Sequence, residues 1–296
     1  MDGVLNIYKE KGYTSHDVVA KLRGILHQKK IGHTGTLDPD ATGVLPVCLG
    51  KATKLCDLLT DHSKTYRAVL LLGVTTDTQD LSGTVTEKAS NEKMVDITTD
   101  AVKNTIMHYV GQYQQIPPMY SALKVNGKKL YELARAGIEV ERKARMVEIE
   151  AIRILDMQLP EITMEVSCSK GTYIRTLCHD IGQDLGVGGA MKELVRTRVE
   201  RFEIDDALKL SEVEALRDAG TVEQHIISVE DMFDSYPKII VGASMDRLIQ
   251  NGNRFSRNDE YTEGTQVRVY DSQGHFAGIY IRQQSDYRPV KMFLGS

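Results

Sequence analysis

The first clear pattern along the chain is a run of apolar residues at helical spacing. Val18, Leu22 and Ile25 recur three or four positions apart, with polar and charged residues between them. This spacing places the apolar side chains on one face of a helix, so the sequence predicts an amphipathic helix over 16–28. Ser15 precedes this segment and is the expected N-cap, because its hydroxyl can accept a hydrogen bond from the first turn.

Apolar runs and segments of helical spacing then alternate along the chain. Continuous or alternating apolar runs predict strands at 66–72, 147–154 and 162–168. Helical spacing predicts helices at 52–61, 99–110, 129–136 and 173–185. Glycines at 186, 188 and 189 are expected to end the last helix and to open another that continues through Arg196. Because these strands and helices follow no strict β–α–β order, they favour an α+β fold over a doubly wound sheet.

The pattern changes after Tyr236-Pro237. One short helix is predicted first, and short strands follow it, separated by polar or glycine-containing turns. The predicted segments are a helix at 243–250 and strands at 266–270, 276–282 and 289–293. We therefore expect a large domain over 1–235 and a small β-rich domain over 236–296, since a chain of this length exceeds the usual size of one domain.

Composition places the chain among globular proteins that act inside the cell. Hydrophobic residues make up 41% and charged residues 26% of its 296 residues, which is ordinary for such proteins. The sequence contains no apolar run long enough to span a bilayer and no secretory signal at its start. Its four cysteines include no C-x-x-C pair, so we expect a reduced, cytoplasmic protein.

The distribution of charge is more informative than the net charge of −4, which by itself argues against a nucleic-acid partner. Residues 202–234 contain ten acidic and two basic side chains, whereas residues 117–145 contain seven basic and three acidic ones. A basic face could therefore bind a polyanion while the acidic segment faces solvent, because salt screens surface charges beyond about 8–10 Å. A simple solvated surface explains the counts equally well.

The segment from Gly32 to Gly43 concentrates reactive side chains. It holds Asp38, Asp40 and His33 together with three threonines, three glycines and a proline. An irregular loop of this kind gives up regular secondary structure, which is typical of a binding or catalytic site. The alternative is a surface turn in which Asp38 and Pro39 start a chain reversal.

Several chemistries find no support in the motifs. The histidines at 33, 62 and 179 are scattered without zinc-site spacing, so no metal site is expected. Neither a P-loop nor the dinucleotide motif G-x-G-x-x-G is present, so the motifs do not predict a nucleotide site. The cysteines lie in apolar runs or on a predicted helix. Covalent or acid–base chemistry by a carboxylate remains.

A reacting carboxylate needs a partner that sets its charge and orientation. Arg175 lies just after an expected turn at Gly171-Thr172-Tyr173 and is a candidate, because arginine stays protonated and holds a carboxylate with two hydrogen bonds. A surface arginine is the alternative interpretation. Tyr66 and Tyr173 could stack on a base, or simply belong to the core. These arguments do not distinguish Asp38 from Asp40.

The segment 32–43 resembles the catalytic motif of the bacterial tRNA pseudouridine-55 synthases of the TruB type. The similarity continues in the same order through residues 4 to 200. The other similar segments are Lys9–Ser15, Gly50–Lys54, Lys64–Arg67, Pro117–Lys124, Gly171–Leu177 and Leu194–Thr197.

This resemblance implies an enzyme that converts one uridine of the tRNA T loop, uridine 55, to pseudouridine without a metal or an organic cofactor. By motif position Asp38 would be the nucleophile and Arg175 its partner, whereas the family motif does not specify the residue at Asp40. The resemblance also implies a mixed, mostly antiparallel sheet flanked by helices, followed by a small PUA-like RNA-binding domain.

The same resemblance assigns RNA contacts. Tyr66 would stack on the target uracil, Tyr173 and Leu194 would complete the base pocket, and His33 would hold the T loop after the base has left it. Phosphate contacts are expected from Lys9, Lys64, Lys124, Lys128 and Lys129.

Two other functions compete with this interpretation. One is an RNA-binding module that helps tRNA to fold and modifies it only secondarily. The other is a relative that depends on a guide RNA, and the sequence lacks the long basic extensions expected of it. We therefore expect the T-arm stem-loop as partner, with no membrane and no obligatory protein or guide RNA.

Overall fold

The computed structural model describes residues 1–60, 62–125 and 127–293. The α-helices in these ranges are α1 (Ser15–Ile25), α2 (Cys56–Thr60), α3 (Asn91–Val95), α4 (Thr99–His108), α5 (Leu130–Arg135), α6 (Ile174–Asp184), α7 (Leu210–Asp218) and α8 (Asp246–Gln250). Short 3₁₀ turns lie at Gly50–Leu55, Ile204–Asp206, Val222–His225, Asp231–Phe233 and Ala243–Met245.

The strands supply two main sheets and two small hairpins. In the first part of the chain they are β1 (Gly3–Lys9), β2 (Ile31–His33), β3 (Thr42–Leu49), β4 (Lys64–Leu72), β5 (Val74–Thr76), β6 (Val85–Lys88), β7 (Gly111–Gln115), β8 (Lys124–Val125), β9 (Lys128–Lys129) and β10 (Arg145–Gln158). The remaining strands are β11 (Glu161–Cys168), β12 (Gly189–Val199), β13 (Phe202–Glu203), β14 (Ile226–Ile227), β15 (Lys238–Ile240), β16 (Phe255–Ser256), β17 (Gln266–Tyr270), β18 (Phe276–Gln283) and β19 (Asp286–Met292).

The larger sheet has ten strands and is mixed but mostly antiparallel. Its main order is β14-β1-β3-β12-β4-β11-β10-β7, with β2 paired to β3 and β13 to β12. Only β3 and β12 run parallel among the described pairs of this sheet. In that pair Gly43 lies opposite Arg196. The predicted α+β class is confirmed, because this sheet and its packed helices follow no repeated β–α–β order.

Helix α1 begins one residue earlier than the sequence analysis expects. Thr14 is the N-cap, and its side chain accepts a hydrogen bond from the amide of Asp17, whose carboxylate accepts one from the amide of Thr14 in return. This reciprocal pair stabilises the first turn. Ser15 as N-cap is therefore wrong. Its hydroxyl accepts a hydrogen bond from the distant amide of Leu37 instead.

The predicted helix that continues through Arg196 is also wrong, because residues Gly189–Val199 form strand β12. Alanine, methionine, lysine, glutamate and leucine at its start favour a helix in isolation. The segment nevertheless lies between β3 and β4 in the middle of the sheet, and its β-branched residues Val195, Thr197 and Val199 suit that position. Tertiary pairing has outweighed the local helix propensity.

Two apolar clusters position the helices on the sheet. Helices α4 and α6 bury Ile106 and Leu177 against strand residues such as Leu70 and Met164. Helices α1 and α7 belong to a second cluster with residues of β1 and β3. The first residues of α6 are thereby fixed beside β4 and β12. No helix in the described ranges is long and apolar enough to cross a membrane.

The second sheet has five strands in the order β15-β17-β18-β19-β16, and all of them lie after residue 237. It packs on the first part of the chain through aromatic residues. The rings of Phe276 and Phe293 stack at 5.6 Å, and Phe293 also contacts Phe233. Lys54 donates a hydrogen bond to the carbonyl of Met292 at 3.0 Å. The predicted β-rich C-terminal part is confirmed, whereas the boundary at 235/236 stays a prediction.

Candidate active site

A cleft of about 1450 Å³ opens on the large sheet. Its walls come from the loop before β3, from β4, from the turn after β5, from the start of α6 and from β12. The lining residues include Asp38, Tyr66, Tyr173, Arg175 and Leu194, which the sequence analysis selects for the reaction or the base pocket. Residues that are up to 156 positions apart in the sequence therefore share one site.

Two hydrogen bonds hold the loop on either side of Asp38. The hydroxyl of Ser15 accepts from the amide of Leu37 at 3.0 Å. The ammonium of Lys9 donates to the carbonyl of Pro39 at 3.0 Å. Asp38 lies between these two bonds. The end of β1 and the start of α1 therefore fix the backbone of Asp38 and the direction in which its side chain points.

The carboxylate of Asp38 pairs with the guanidinium of Arg175. Nε of Arg175 lies 3.1 Å from Oδ2 and Nη2 lies 3.4 Å from Oδ1. The arginine side chain is 6% exposed, whereas the aspartate side chain remains 41% exposed towards the cleft. A two-point contact of this kind fixes the plane of the carboxylate and leaves its outer surface accessible to a ligand.

Arg175 also contacts a second carboxylate that the sequence analysis misses. Nη1 lies 3.4 Å from Oδ2 of Asp80 and donates to the carbonyl of Thr78 at 3.1 Å. Nη2 donates to the carbonyl of Tyr120 at 3.0 Å. One buried guanidinium thus bridges two aspartates and two backbone carbonyls.

The electrostatic environment of Asp38 combines opposing effects. Its position deep in the cleft raises the pKa of its carboxyl, although the side chain keeps some contact with solvent. The charge of Arg175 opposes this rise in pKa, and the like charge of Asp80 adds to it. Asp38 is therefore a carboxylate whose basicity is increased while its ionised form retains a cationic partner.

The structure separates the two carboxylates of the loop. Asp38 is half-buried and contacts Arg175, whereas Asp40 is exposed at the rim of the cleft. An orienting arginine therefore serves Asp38 and not Asp40. The geometry favours the carboxylate that the family motif also favours.

Tyr66 and Leu194 lie on the adjacent strands β4 and β12. Both are largely buried and both line the cleft. Burial raises the pKa of the Tyr66 hydroxyl, and the neighbouring guanidinium of Arg196 opposes this effect. Their side chains offer one aromatic and one aliphatic surface to a planar ligand.

Tyr173 lies immediately before α6 and is held by the side chain of Gln115. The Gln115 amide donates to the carbonyl of Tyr173 at 2.9 Å and accepts from its amide at 2.7 Å. Gln115 is 1% exposed. These two bonds connect the end of β7 to the residue before α6. They therefore fix the backbone position from which the side chains of Tyr173 and Arg175 point into the cleft.

His33 lies outside the residues that line the cleft. It ends β2, and its ring makes an edge contact with His16 at 5.3 Å. Burial lowers its pKa, so the neutral form is favoured. Its Nδ1 has no hydrogen-bond partner in the described part of the chain.

Two of the predicted phosphate contacts do not suit that role. The side chain of Lys9 is 0% exposed and donates to the carbonyls of Glu10, Tyr13 and Pro39. Lys64 is also buried, and its ammonium donates to two carbonyls of the segment before β4. Both lysines hold the backbone of the site together, because the fold supplies carbonyl acceptors where the sequence suggests exposed charges.

The other three lysines lie on the β8–β9 hairpin. Lys124 and Lys128 are exposed. Lys129 is half-buried, and its ammonium lies 5.4 Å from the centre of the Tyr131 ring. Tyr131 itself lines the cleft. The hairpin is therefore next to a cleft-lining residue, and the exposed Lys124 and Lys128 are accessible to a polyanion.

No group of three or more metal-ligating side chains occurs among the residues described. The cleft instead presents carboxylate, guanidinium, phenol and aliphatic groups. This set can hold a planar base and present an oriented carboxylate to the sugar or base next to it.

Comparison with known families agrees with this site. Residues 23–174 match the family described as TruB family pseudouridylate synthase, N-terminal domain. The chain belongs to this family. Residues 175–234 match the tRNA pseudouridylate synthase B C-terminal domain. As a member of the TruB family, the chain is a pseudouridine synthase.

Individual relatives match over nearly the whole length. A protein named tRNA pseudouridine synthase B from Lachnoclostridium phytofermentans is 52% identical, and the match covers 99% of this chain and 100% of the relative. A protein of the same name from Clostridium perfringens strain SM101 is 46% identical over 99% of both chains. The corresponding protein from Bacillus cytotoxicus is 44% identical over 95% of this chain and 92% of its own.

Solved structures support the same architecture for this TruB-family chain. The crystal structure of a Cbf5-Nop10-Gar1 complex aligns with a TM-score of 0.74 at 26% identity, covering 99% of this chain and 85% of that chain. The archaeal box H/ACA sRNP Nop10-Cbf5 complex aligns with a TM-score of 0.71 at 25% identity, covering 99% and 86%.

Three residues of this TruB-family site escape the sequence analysis. Asp80 and Gln115 receive no role there, and Arg196 is placed on a helix. The acidic residues Asp77 and Asp80 are visible in the sequence, but nothing local connects Asp80 to Arg175. Gln115 and Arg196 act through contacts that exist only after the sheet has formed.

Proposed function

We propose that this pseudouridine synthase isomerises uridine 55 in the T loop of tRNA, with Asp38 as the nucleophile. The observation that carries the proposal is the pairing of the half-exposed Asp38 carboxylate with the buried Arg175 in a cleft large enough for a nucleotide. The relatives named tRNA pseudouridine synthase B, which match nearly end to end, supply the class of RNA.

The target base must leave its stack before it can enter the cleft. Extrusion costs a few kcal/mol, and stacking on an aromatic side chain recovers about 1–3 kcal/mol. Tyr66 offers that aromatic surface, while Tyr173 and Leu194 close the pocket around it. His33, which lies beside the loop rather than in the cleft, is positioned for RNA outside the base pocket.

The reaction breaks the C1′–N1 bond of uridine and forms a C1′–C5 bond. The released base turns before it reattaches, C5 loses its proton and N1 gains one, so the product is an isomer and no cofactor is required. An ionised Asp38 can attack C1′, attack C6 of the base or remove a ribose proton. In each route the role of Arg175 is to orient the carboxylate and to hold it in the ionised form.

Phosphate contacts come from the mouth of the cleft. Lys124, Lys128 and Lys129 extend from the β8–β9 hairpin, where they can neutralise the backbone of a helical stem. The second sheet, within the proposed PUA-like domain at 236–296, adds the exposed Arg254 and Arg257. Residues 294–296 of that range lie outside the described residues.

We further propose that the substrate is recognised without a guide RNA or a protein partner. The relatives named tRNA pseudouridine synthase B match this chain over 99–100% of their own length. An isolated T-arm stem-loop incubated with the purified protein should therefore give pseudouridine at one position. Failure on the stem-loop together with activity in a cell extract would contradict this part of the proposal.

The decisive experiment maps pseudouridine in total RNA from cells with and without the protein. Loss of the modification at uridine 55 of tRNAs, restored by the wild-type gene and not by Asp38→Asn, is the expected result. If Asp38→Asn restores it, the nucleophile is assigned incorrectly. If tRNA folding depends on the protein and is restored equally by Asp38→Asn, the RNA-folding function deserves priority over the modification.

A further inference from the structure

Arg196 is a buried cation without an acidic partner. Its side chain is 1% exposed. Nε donates to the carbonyl of Val44 at 2.7 Å, and Nη2 has no hydrogen-bond partner among the residues described. Within the same ranges no carboxylate forms an ion pair with it.

Such an arrangement is costly for the folded protein. Burial lowers the pKa of Arg196, yet an arginine stays protonated in a protein. Transfer of one unpaired charge from water into the protein interior is strongly unfavourable. An apolar residue of similar length would fill the space between β3, β4 and β12 without that penalty. The position of the charge therefore calls for an explanation beyond packing.

The location of the guanidinium connects it to the base pocket. Arg196 lies opposite Tyr66 in the register of β12 and β4, and Leu194 lies two residues earlier on the same strand. All three residues line the cleft. The charge of Arg196 also acts on the Tyr66 hydroxyl, because it opposes the rise in the pKa of that hydroxyl that burial causes. The charge thus lies next to the aromatic side chain that is proposed to stack on the uracil.

Other cations near the cleft floor are already neutralised or bonded. Arg175 bridges Asp38 and Asp80. The ammonium of Lys9 donates to three backbone carbonyls. Arg196 differs from both, because its Nη2 has no hydrogen-bond partner among the described residues.

The proposed reaction generates a transient negative charge on the pyrimidine, which could serve as the counter-charge that Arg196 lacks. When C1′–N1 breaks, the bonding electrons leave with N1 and the pyrimidine becomes an anion. When a nucleophile adds at C6 instead, the displaced π electrons move onto the O4 oxygen. Negative charge develops on the ring in either route. The ring loses that charge when C5 forms the bond to C1′ and Asp38 is released as a carboxylate, and transfer of the C5 proton to N1 then gives the neutral isomer. A fixed positive charge stabilises the anionic ring strongly where water is excluded.

We propose that Arg196 is a positioning residue whose positive charge, acting through the hydroxyl of Tyr66, stabilises the pyrimidine ring while that ring is anionic. The proposal rests on the proposed function, because it assumes a uracil against Tyr66. It assigns to the floor of the cleft an electrostatic role that is independent of how Asp38 begins the reaction.

The test measures single-turnover pseudouridine formation on a T-arm stem-loop by Arg196→Met, Arg196→Lys and the wild type. Removal of one stabilising donor from an active site typically costs about 10²–10³-fold in rate. We expect the rate of Arg196→Met to fall by a factor of that order. The rate of Arg196→Lys should be at least about tenfold higher than that of Arg196→Met. The Kd for the RNA, measured in an Asp38→Asn background, should change less than threefold.

Arg198→Met is the matched control, since Arg198 lies on the same strand, is half-buried and does not line the cleft. Its rate should stay within threefold of the wild type. If Arg196→Met fails to fold, Arg196→Gln replaces it, because Gln keeps a donor for the Val44 carbonyl and lacks the charge. Arg196→Gln should then show the same loss of rate.

A final comparison tests whether the charge acts through Tyr66. Adding Arg196→Met to Tyr66→Phe should cost little more than the larger single change, because the hydroxyl that transmits the effect is already absent. If the rate losses of the two single variants add up in the double variant, the charge does not act through the Tyr66 hydroxyl. A folded Arg196→Met or Arg196→Gln at the wild-type rate, or a rate loss that only follows thermal stability, would overturn the whole inference. An inactive wild type would instead overturn the proposed function.

Discussion

Nε of Arg175 lies 3.1 Å from a carboxylate oxygen of Asp38, although the two residues are 137 positions apart. The first belongs to the initial turn of α6 and the second to the loop before β3. The sheet between them brings a permanent positive charge to a carboxylate that burial would otherwise protonate more readily. An oriented, ionised aspartate at the wall of a cleft is the result.

Asp38→Asn should abolish turnover and leave RNA affinity almost unchanged. The amide cannot act as a nucleophile or a base, and loss of a nucleophile can cost more than about 10⁴-fold in rate. Single-turnover formation of pseudouridine measures the first effect and equilibrium binding the second. Asp40→Asn, which removes a carboxylate two residues away at the exposed rim, should stay within threefold of the wild type. Comparable losses in both variants would contradict the assignment.

Asp80→Asn should shift the pH dependence of the reaction. The rate requires ionised Asp38, so it falls as the pH drops through the raised pKa of that carboxyl. Because the charge of Asp80 contributes to the raised pKa, its removal should move the acid limb to lower pH. Rates from about pH 4.5 to 8 measure the shift. Asp77→Asn, whose carboxylate accepts from the Thr84 amide rather than contacting Arg175, should leave the limb in place.

Gln115→Met should slow the reaction without direct contact to the base. The change leaves the amide and carbonyl of Tyr173 without their partners, at a cost of about 1–3 kcal/mol for each buried group. A small displacement of Tyr173 and Arg175 can reduce the rate by about 10²-fold. Single-turnover rates and urea unfolding measure the two effects. Gln114→Met, on the exposed side of the same strand, is the control that should show neither.

Replacing Lys124 and Lys128 together by alanine should weaken RNA binding and flatten its salt dependence. Each lost phosphate contact reduces the slope of log K against log salt by about 0.7–0.9. Binding of the stem-loop at several salt concentrations gives the slope. Lys93 and Lys103 are exposed on α3 and α4 and serve as a control pair. An unchanged slope would remove the hairpin lysines from the RNA interface.

Lys9→Met should change how stability depends on pH. Burial lowers the pKa of Lys9 from 10.5 to about 8. Between these values the unfolded chain binds more protons than the folded one, so the contribution of Lys9 to the free energy of unfolding rises with pH. Urea unfolding at pH 8 and pH 10 should show the wild type gaining up to about 3 kcal/mol relative to the variant. A constant difference would show that Lys9 titrates normally.

Much of the site can be predicted because its signals are local. The glycine-rich and aspartate-rich loop is recognisable from composition, and the motifs around Tyr66, Tyr173 and Leu194 identify the other walls through the family resemblance. The α+β class follows from the order of elements. The helices at 99–110 and 173–185 also agree with α4 and α6 to within two residues.

The remaining features depend on long-range pairing. Strand β12 begins with residues that favour a helix, and only its position between β3 and β4 makes it a strand. Lys9 belongs to a residue type that is almost always exposed, and the sequence does not reveal that three carbonyls converge on its ammonium. Asp80 joins Arg175 only after the turn beyond β5 has folded against the sheet.

The anchors beside Asp38 determine when the loop becomes ordered. The Ser15 hydroxyl, the Lys9 ammonium and the amide of Gly12 all bond to residues 37–39. The entropy of the loop is therefore lost when the chain folds, before any RNA arrives. Damage to the turn between β1 and α1 should accordingly reduce the fraction of competent molecules as the temperature rises. The competent molecules that remain should bind RNA as tightly as before.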